Sequence, residues 1–459
     1  MDATVIFGCP GSGKTHDLKT RIERLESEGV NPINMMVLSH TKAAAKEITK
    51  RAPQVKASTI HSLAFQSYGY SREQVINEHQ MDEFKAWIHM SDKYLDDYMA
   101  IYQLAQNLEQ EPKDVYHKSF RPGTEREFIY FYESYNNWKK AYGFIDFNDM
   151  LLALASGRNV WARDRITHLF IDEAQDLSSL QWRAIDTMIE AMGVEHLVIV
   201  GDPDQAIYVW GGAMDEGMGH AAARYNAKVE NMGRSYRVPV PAAEEAYKVI
   251  SSSGKYKRPP FEPTNKPGTV VRAMSPYHID FSGDDVLILF RTHYSGQTVE
   301  NELIDRGIAY TRLGVTGPCQ NKYAHAVKIL RKLQKGSDLT GQEIDKLKAS
   351  ATSWAKNKLQ SGDFSKLDSA NPSEVINLPP TLTRYYDTVD LSKAGKIRVS
   401  TIHGSKGMEA DNVIVYTGIT NRVQQEAMIN QVAELRVWYV ALTRTKKRLS
   451  IWEGNGGMI

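Results

Sequence analysis

Residues 8 to 15 have the types and the spacing of a phosphate-binding loop. They read GCPGSGKT, which satisfies the pattern GxxxxGK[ST] at every fixed position. In such a loop the glycines let backbone N–H groups turn toward phosphate oxygens, and the start of the next helix adds its dipole. A lysine then reaches the β/γ oxygens, and a threonine hydroxyl suits Mg²⁺. The predicted phosphate loop comprises Gly8, Cys9, Pro10, Gly11, Ser12, Gly13, Lys14 and Thr15.

Two adjacent carboxylates follow an apolar run in LFIDEAQD, residues 169–176. Such a run predicts a buried strand, whose carboxyl end opens at the edge of a parallel sheet where ligands sit. There Asp172 suits a contact to Mg²⁺ through water, and Glu173 suits orienting and deprotonating an attacking water. The alternative is a helix start whose acidic residues complement the helix dipole.

A third chemical signal lies in VIVGDPDQAIYVWGG, residues 198–212. Gln205 is a candidate for sensing a γ-phosphate through hydrogen bonds. Tyr208 and Trp210 are two positions apart, so in an extended chain their side chains share a face and form a platform for stacking nucleic-acid bases. The alternative is that both aromatic side chains fill the core.

The segments around these residues predict the elements that position them. Strands at 4–7 and 35–38, each followed by a helical pattern, give a β-α-β-α start and hence a parallel sheet. In the first helix Leu18, Ile22 and Leu25 share one face. Further strands are predicted at 168–172, 196–200, 285–290 and 412–416, with helical stretches at about 67–143 and 318–390. The pattern predicts two α/β domains, each interrupted once.

The bulk composition restricts the class of protein only broadly. A chain of 459 residues is too long for one core. Its net charge of +1 neither requires nor excludes a nucleic-acid partner. Two cysteines, Cys9 and Cys319, support no disulfide framework and suit a reducing compartment. With no long apolar run and a strand expected at the N-terminus, we expect a cytoplasmic protein without a membrane partner.

Taken together, the motifs resemble those of the UvrD/Rep/PcrA-type superfamily 1 DNA helicases. Beyond the phosphate loop, DEAQD and GDPDQAIYVWGG, further blocks are similar to family motifs and follow in family order. They are SHTKAAAKEI (39–48), ASTIHSLA (57–64), DFNDML (146–151), SYRVP (235–239), LFRTHYSGQTVENELIDRGIAY (289–310), VSTIHGSKGMEADNVIV (399–415) and VWYVALTRTKKRL (437–449). Two blocks depart from the family: Ser39 stands near its usual aromatic residue, and Gly211 stands where WRGA has arginine.

The resemblance implies two RecA-like P-loop NTPase domains, with parallel sheets flanked by helices and a helical insertion in each. ATP would bind in the cleft between them, and single-stranded DNA would cross their top. The implied boundaries are 1–66 with 144–232 for the first domain, 67–143 for its insertion, 233–317 with 391–459 for the second domain, and 318–390 for its small insertion.

The resemblance also implies roles for single residues. Arg237 and Arg444 match the two family arginines that reach the γ-phosphate, and with Lys14, Glu173 and Gln205 they complete the implied catalytic set. Three further residues match nucleotide contacts: Tyr236 at the adenine, Gly407 and Glu409. The implied DNA contacts are Lys42, Thr59, His61, Ser62, Tyr208, Trp210, Thr292 and His403.

The implied activity is an ATP- and Mg²⁺-dependent translocase on single-stranded DNA that unwinds duplex, with 3′→5′ polarity by family analogy. Its partners would be single-stranded DNA, junctions of single- and double-stranded DNA, and replication or repair proteins, in a bacterial or phage-infected cell. The oligomeric state stays open, and a monomer fits. Three alternatives also stay open: a P-loop phosphotransferase, a DNA-dependent ATPase or DNA-binding accessory without unwinding, and a 5′→3′ relative.

Overall fold

A computed structural model describes residues 1–39, 42–119, 122–157, 165–254, 258–457 and 459. The chain divides into two units, residues 1–236 and 237–459, and each has its own parallel sheet. Among the described residues, no helix is both long enough and apolar enough to cross a membrane.

The first unit is built on a six-stranded parallel sheet in the order β3-β2-β4-β5-β1-β6. The strands are β1 (Asp2–Gly8), β2 (Met35–Ser39), β3 (Lys56–Thr59), β4 (His168–Asp172), β5 (His196–Gly201) and β6 (Lys228–Met232). Successive residues of β1 face opposite sides of the sheet, so Val5 enters one apolar cluster and Ile6 the other. Burial on both faces explains why these strands read as apolar runs.

Helices cover this sheet and also form a bundle with a core of its own. They are α1 (Lys14–Ser27), α2 (Lys42–Arg51), α3 (Ile60–Tyr68), α4 (Glu78–Trp87), α5 (Leu95–Leu108), α6 (Pro112–Lys118), α7 (Glu125–Tyr142), α8 (Phe147–Ala155), α9 (Ser179–Met192) and α10 (Gly217–Arg224). Helix α1 buries Leu18 and Ile22 against the sheet. Helices α4 to α7 share a separate aromatic cluster that includes Phe84, Phe128 and Trp138.

A buried lysine joins the end of α7 to the start of α8. The Lys139 ammonium donates to Asp146 and Asp149 at 2.6 Å each and to the Tyr102 hydroxyl at 2.9 Å. Burial and the neighbouring Asp146 raise the pKa of Asp149, and Lys139 opposes that rise. The lysine therefore neutralises two carboxylates that would otherwise repel each other in a low-dielectric setting.

We expect Lys139→Met to destabilise the first unit by about 3–5 kcal/mol, because it leaves two half-buried carboxylates without a cation. Urea unfolding followed by circular dichroism measures this change. Lys140→Met is the matched control, since Lys140 is exposed on the same helix. Equal stability of the two variants would contradict the expectation.

The second unit is built on another six-stranded parallel sheet, in the order β11-β12-β10-β13-β14-β9. Strand β7 (Arg234–Pro239) runs across the division between the units. The other strands are β8 (Glu262–Thr264), β9 (Thr269–Ala273), β10 (Val286–Phe290), β11 (Thr311–Arg312), β12 (Ile397–Thr401), β13 (Ala410–Tyr416) and β14 (Thr445–Trp452). The central strand β10 is fully buried along its length.

Two groups of helices accompany the second sheet. They are α11 (Val240–Ser251), α12 (His293–Asp305), α13 (Lys322–Gln334), α14 (Gly341–Ser350), α15 (Ser353–Ser361), α16 (Pro372–Val375), α17 (Thr383–Thr388), α18 (Asn421–Ile429) and α19 (Gln431–Leu442). Helices α13 to α17 pack around a separate apolar cluster that includes Leu330, Leu347 and Tyr386.

The α/β class with parallel sheets flanked by helices is confirmed. Each strand predicted from the sequence is present within two residues at either end, and a helix follows each of the first two strands as predicted. Eight strands were not predicted: β3, β6, β7, β8, β9, β11, β12 and β14. In β6 and β14 the reason is plain, because KVENM and TKKRLSIW carry charges where an apolar run is expected. The domain boundaries given above stay predictions.

Candidate active site

The phosphate loop connects strand β1 to helix α1. Gly11 and Gly13 have φ angles of 73° and 85°, in the left-handed region that suits glycine. The Lys14 ammonium turns back over the loop and donates to the carbonyl oxygens of Gly8 at 3.0 Å and Cys9 at 3.1 Å. The loop thus holds its lysine in place through its own backbone.

The loop has the features expected of a site for a phosphate group. The Ser12 hydroxyl is buried and has no hydrogen-bond partner among the described residues. A Cβ at Gly8 would lie 2.6 Å from Cγ of Lys14, so only glycine leaves room for the lysine there. The hydroxyl of Thr15 and the carboxylate of Asp172 are oxygen donors of the type that Mg²⁺ prefers.

The order of strands brings the other two predicted catalytic segments to the same edge. Because β4, β5 and β1 are parallel neighbours, the residues after each strand meet at the carboxyl edge of the sheet. Asp172 ends β4 and is buried, and Gln205 follows β5 and is also buried. The Gln205 amide donates to the carboxylate of Asp202 at 2.7 Å.

Glu173 has an unusual backbone conformation. Its φ of 56° lies in the left-handed region that non-glycine residues rarely adopt, and its N–H donates to the Asp172 carboxylate at 2.9 Å. Strained positions of this kind concentrate at functional sites. The predicted alternative, a helix start with acidic residues, is realised only as the three-residue 3-10 turn Ala174–Asp176 that follows Glu173.

Gln175 joins the ends of β4 and β5, and sequence reasoning missed it. Its side-chain NH₂ donates to Glu173 at 2.5 Å, and its carbonyl oxygen accepts the N–H of Asp202 at 2.9 Å. A Cβ at Gly201 would lie 2.4 Å from that same carbonyl oxygen. The DEAQD segment contains the glutamine, but only the neighbouring strand reveals its partner.

Tyr208 and Trp210 lie together, though not for the predicted reason. The expected extended chain is wrong, because Val209–Gly211 form a 3-10 turn. The two rings nevertheless lie 6.1 Å apart between centroids, and Trp210 is 66% exposed. Burial, together with Asp176 and Glu173, raises the pKa of Tyr208 to about 12, so this ring lies near the acidic segment and stays neutral near pH 7.

The helical bundle of the first unit supports this aromatic turn. The Asn107 side chain at the end of α5 donates to the carbonyl oxygen of Gly211 at 2.8 Å. Gly212 has a φ of 93°, and a Cβ there would lie 2.6 Å from Cβ of Asn107. The turn is therefore fixed against α5, which the sequence pattern did not indicate.

The residues predicted to contact DNA after β3 lie at the same sheet edge. Thr59 caps α3 by accepting the N–H of Ser62 at 3.1 Å, and the two hydroxyls are 2.9 Å apart. His61 contacts the ring of Phe147 edge-on at 5.6 Å, and Phe147 is 56% exposed. Phe147 is a further exposed aromatic residue that the sequence analysis did not select. The side chain of Lys42 lies outside the described residues.

Tyr236 lies beside the phosphate loop. Its backbone N–H donates to the carbonyl oxygen of Gly11 at 2.9 Å, and its ring is 64% exposed. The guanidinium of Arg234 lies 5.8 Å from the ring centroid. An exposed ring at this position suits stacking against a planar base.

In the second unit, Gly407 and Glu409, two of the predicted nucleotide residues, lie at the amino edge of the sheet. Glu409 precedes β13 and accepts from Arg237 at 2.6 Å and from Lys446 at 2.8 Å. Burial opposes the ionisation of Glu409, but the two cations outweigh burial and hold its pKa below the usual range. Gly407 precedes this carboxylate with a φ of 81°.

Arg444 precedes β14 and is only 2% exposed. Its guanidinium donates to the carbonyl oxygen of Val440 at 3.0 Å and, more weakly, to that of Met408 at 3.4 Å. The predicted DNA residues of this unit follow the opposite strand ends: Thr292 follows β10, where it caps α12, and His403 follows β12. The nucleotide and DNA residues predicted for this unit are thus separated onto two edges of one sheet.

Comparisons with known proteins agree with these motifs. The model of the UvrD/REP helicase N-terminal domain matches residues 2–226, and that of the UvrD-like helicase C-terminal domain matches residues 332–453. The chain is similar to DNA helicase II of Haemophilus influenzae, with 23% identity over 68% of this chain and 49% of that protein. It is also similar to ATP-dependent DNA helicase PcrA of Leuconostoc citreum, with 24% identity over 68% of this chain and 48% of that protein.

DNA helicase II of Escherichia coli matches at 24% identity over 46% of this chain and 33% of its own length. The matched parts therefore span about half or less of these relatives. Among solved structures, one titled as the structure of PRRSV helicase has a TM-score of 0.38 and 11% identity, covering 99% of this chain and 53% of that chain.

Proposed function

We propose, from the premise that this chain belongs to the UvrD/Rep family of helicases, that it is an ATP-dependent DNA helicase moving 3′→5′ along single-stranded DNA. One observation carries the proposal. The segment after β5 holds a buried Gln205, whose amide donates to Asp202, and, five residues later, an exposed Trp210. A single short segment thus offers contact to nucleotide at one end and to a DNA base at the other.

The first unit would bind ATP and prepare the attacking water. Lys14 would exchange its two backbone acceptors for β/γ oxygens of the nucleotide. Glu173 would orient and deprotonate the water, and Gln205 would respond to the γ-phosphate. Thr15 and Asp172 would hold Mg²⁺, whose chemistry there is to neutralise charge on the phosphate oxygens. Tyr236 would stack on the adenine.

The second unit would supply the positively charged groups that complete the active site. Arg237 and Arg444 would stabilise the negative charge that develops on the transferred phosphoryl group, and Glu409, after Gly407, would contact the ribose. Arrival of these groups would depend on movement between units, which would tie hydrolysis to movement along DNA.

DNA would bind at the carboxyl edges of the two sheets, through phosphate contacts and base stacking. The proposed contacts are Lys42, Thr59, His61, Ser62, Phe147, Tyr208, Trp210, Thr292 and His403. Binding of this kind gives little base preference and a strong dependence on salt. Single-stranded DNA and junctions with duplex are the proposed partners.

The test is an ATPase assay with and without single-stranded DNA, paired with unwinding of duplexes that carry a tail on one end only. We expect DNA to stimulate hydrolysis and a 3′ tail to permit unwinding. Unwinding from a 5′ tail alone would overturn the polarity. Stimulated hydrolysis without unwinding would identify a DNA-dependent ATPase, and a phosphorylated product would identify a phosphotransferase.

We expect Trp210→Ala to weaken binding of single-stranded DNA about 5- to 150-fold, since stacking contributes about 1–3 kcal/mol per base. Fluorescence anisotropy of a labelled oligonucleotide measures the change. Trp354→Ala, at a 41% exposed tryptophan of α15, is the control. Hydrolysis without DNA should stay within about twofold of the parent. Equal weakening in both variants would refute the stacking role.

A further inference from the structure

Strand β7 is hydrogen-bonded to the phosphate loop. Along this strand Arg234 and Tyr236 are exposed, and Ser235 between them is 0% exposed. The Ser235 hydroxyl donates to the carbonyl oxygen of Pro10 at 2.7 Å, and the N–H of Tyr236 donates to that of Gly11 at 2.9 Å. Two consecutive carbonyls of the loop are therefore held by two consecutive residues of β7.

Holding a carbonyl also fixes the N–H of the next residue. A trans peptide is planar, so its C=O and N–H point in opposite directions, and the described residues include no cis peptide bond. Fixing the carbonyl of Pro10 therefore directs the N–H of Gly11 away from β7. The N–H of the next residue, Ser12, turns back within the loop and donates to the carbonyl oxygen of Cys9 at 3.1 Å. A phosphate loop binds its anion through N–H groups that point together into one concavity.

A third bond secures the start of the same loop. The N–H of Cys9 donates to the carbonyl oxygen of Met232 at 3.1 Å, just before β7. Residues 232–236 thus contact residues 9–11 through their backbone and the Ser235 hydroxyl. That hydroxyl is the part of this arrangement that a substitution can remove without altering the backbone.

We propose that Ser235 is a positioning residue of the nucleotide site. Its hydroxyl orients the Pro10–Gly11 peptide so that the N–H of Gly11 is prepared for phosphate before the nucleotide arrives. This inference rests on the proposed use of ATP.

The experiment compares Ser235→Ala with the parent and with Ser119→Ala. Ser119 is the control because its hydroxyl also donates to a carbonyl oxygen at 2.7 Å, that of Val115 in α6. The measured quantities are the dissociation constants of Mg·ATP and of Mg·tripolyphosphate, by calorimetry in the full chain, and the unfolding temperature without ligand. Tripolyphosphate probes the loop without the base and ribose.

We expect Ser235→Ala to weaken both ligands by about tenfold, which corresponds to about 1.4 kcal/mol, with Ser119→Ala unchanged. A purely structural bond would lower the unfolding temperature and leave both constants unchanged at a temperature where the variant is folded, and that result would overturn the proposal. Weakening of ATP but not of tripolyphosphate would overturn it too. If the parent fails to bind ATP, the proposed function itself is refuted. If the parent binds ATP and the Ser235→Ala variant has the same dissociation constants, only this inference is refuted.

Discussion

Replacing Lys14 with alanine is expected to lower the rate of ATP hydrolysis by about 10³-fold or more, because the lysine ammonium is the cation that the loop brings to the β/γ oxygens. The ammonium already lies over the loop, bound to the carbonyl oxygens of Gly8 and Cys9. Binding of nucleotide would exchange these acceptors for phosphate oxygens without bringing in a distant side chain. A coupled assay of phosphate release with saturating DNA measures the rate.

Lys19→Ala is the matched control for this prediction. Lys19 lies one turn further along α1 and pairs with Glu23 at 3.2 Å on the surface, so its removal costs little. Unwinding should be lost together with hydrolysis in Lys14→Ala and retained in Lys19→Ala. Unwinding by Lys14→Ala at the parental rate would refute the proposed function, because unwinding would then not depend on hydrolysis at this site.

The phosphate loop was predictable because its chemistry is local. The strand, the glycines and the helix start are contiguous in sequence, and residues such as Leu18 and Ile22 report the buried face of the helix directly. The carboxylates after β4 were predictable for the same reason: an apolar run followed by acids marks a strand end. That β4, β5 and β1 are neighbours needed the sheet order, which no local pattern gives.

The missed residues act through partners that are distant in sequence. Gln175 accepts a hydrogen bond from Asp202, which follows the neighbouring strand. Ser235 donates a hydrogen bond to Pro10, which lies far from it in sequence. The relative placement of Tyr208 and Trp210 was predicted from an extended chain, whereas a 3-10 turn held by Asn107 sets it. Polar contacts over long sequence separations leave little trace in residue type or periodicity.

The ion pair of Arg237 has a property that suits a mobile catalytic group. Glu409 accepts from Arg237 and also from Lys446, so departure of the arginine would leave the carboxylate with one cation. Leaving a half-buried carboxylate without any partner is costly, and the second cation reduces that cost. The arrangement would allow Arg237 to exchange Glu409 for a phosphate oxygen.

Arg237→Ala is accordingly expected to lower kcat for ATP hydrolysis by about 10³- to 10⁵-fold, the range for an arginine that stabilises phosphoryl transfer. Steady-state kinetics with saturating DNA measure it, and Arg272→Ala is the control, because Arg272 makes a comparable surface pair with Glu245 at 2.7 Å. The Glu409→Gln variant distinguishes a role of Arg237 in phosphoryl transfer from its role as the ion-pair partner of Glu409. If Arg237 served only as the partner of Glu409, the two variants would lose equal activity. If it completes the reaction, Glu409→Gln should change chiefly KM, since its proposed contact is the ribose, and kcat should stay far above that of Arg237→Ala.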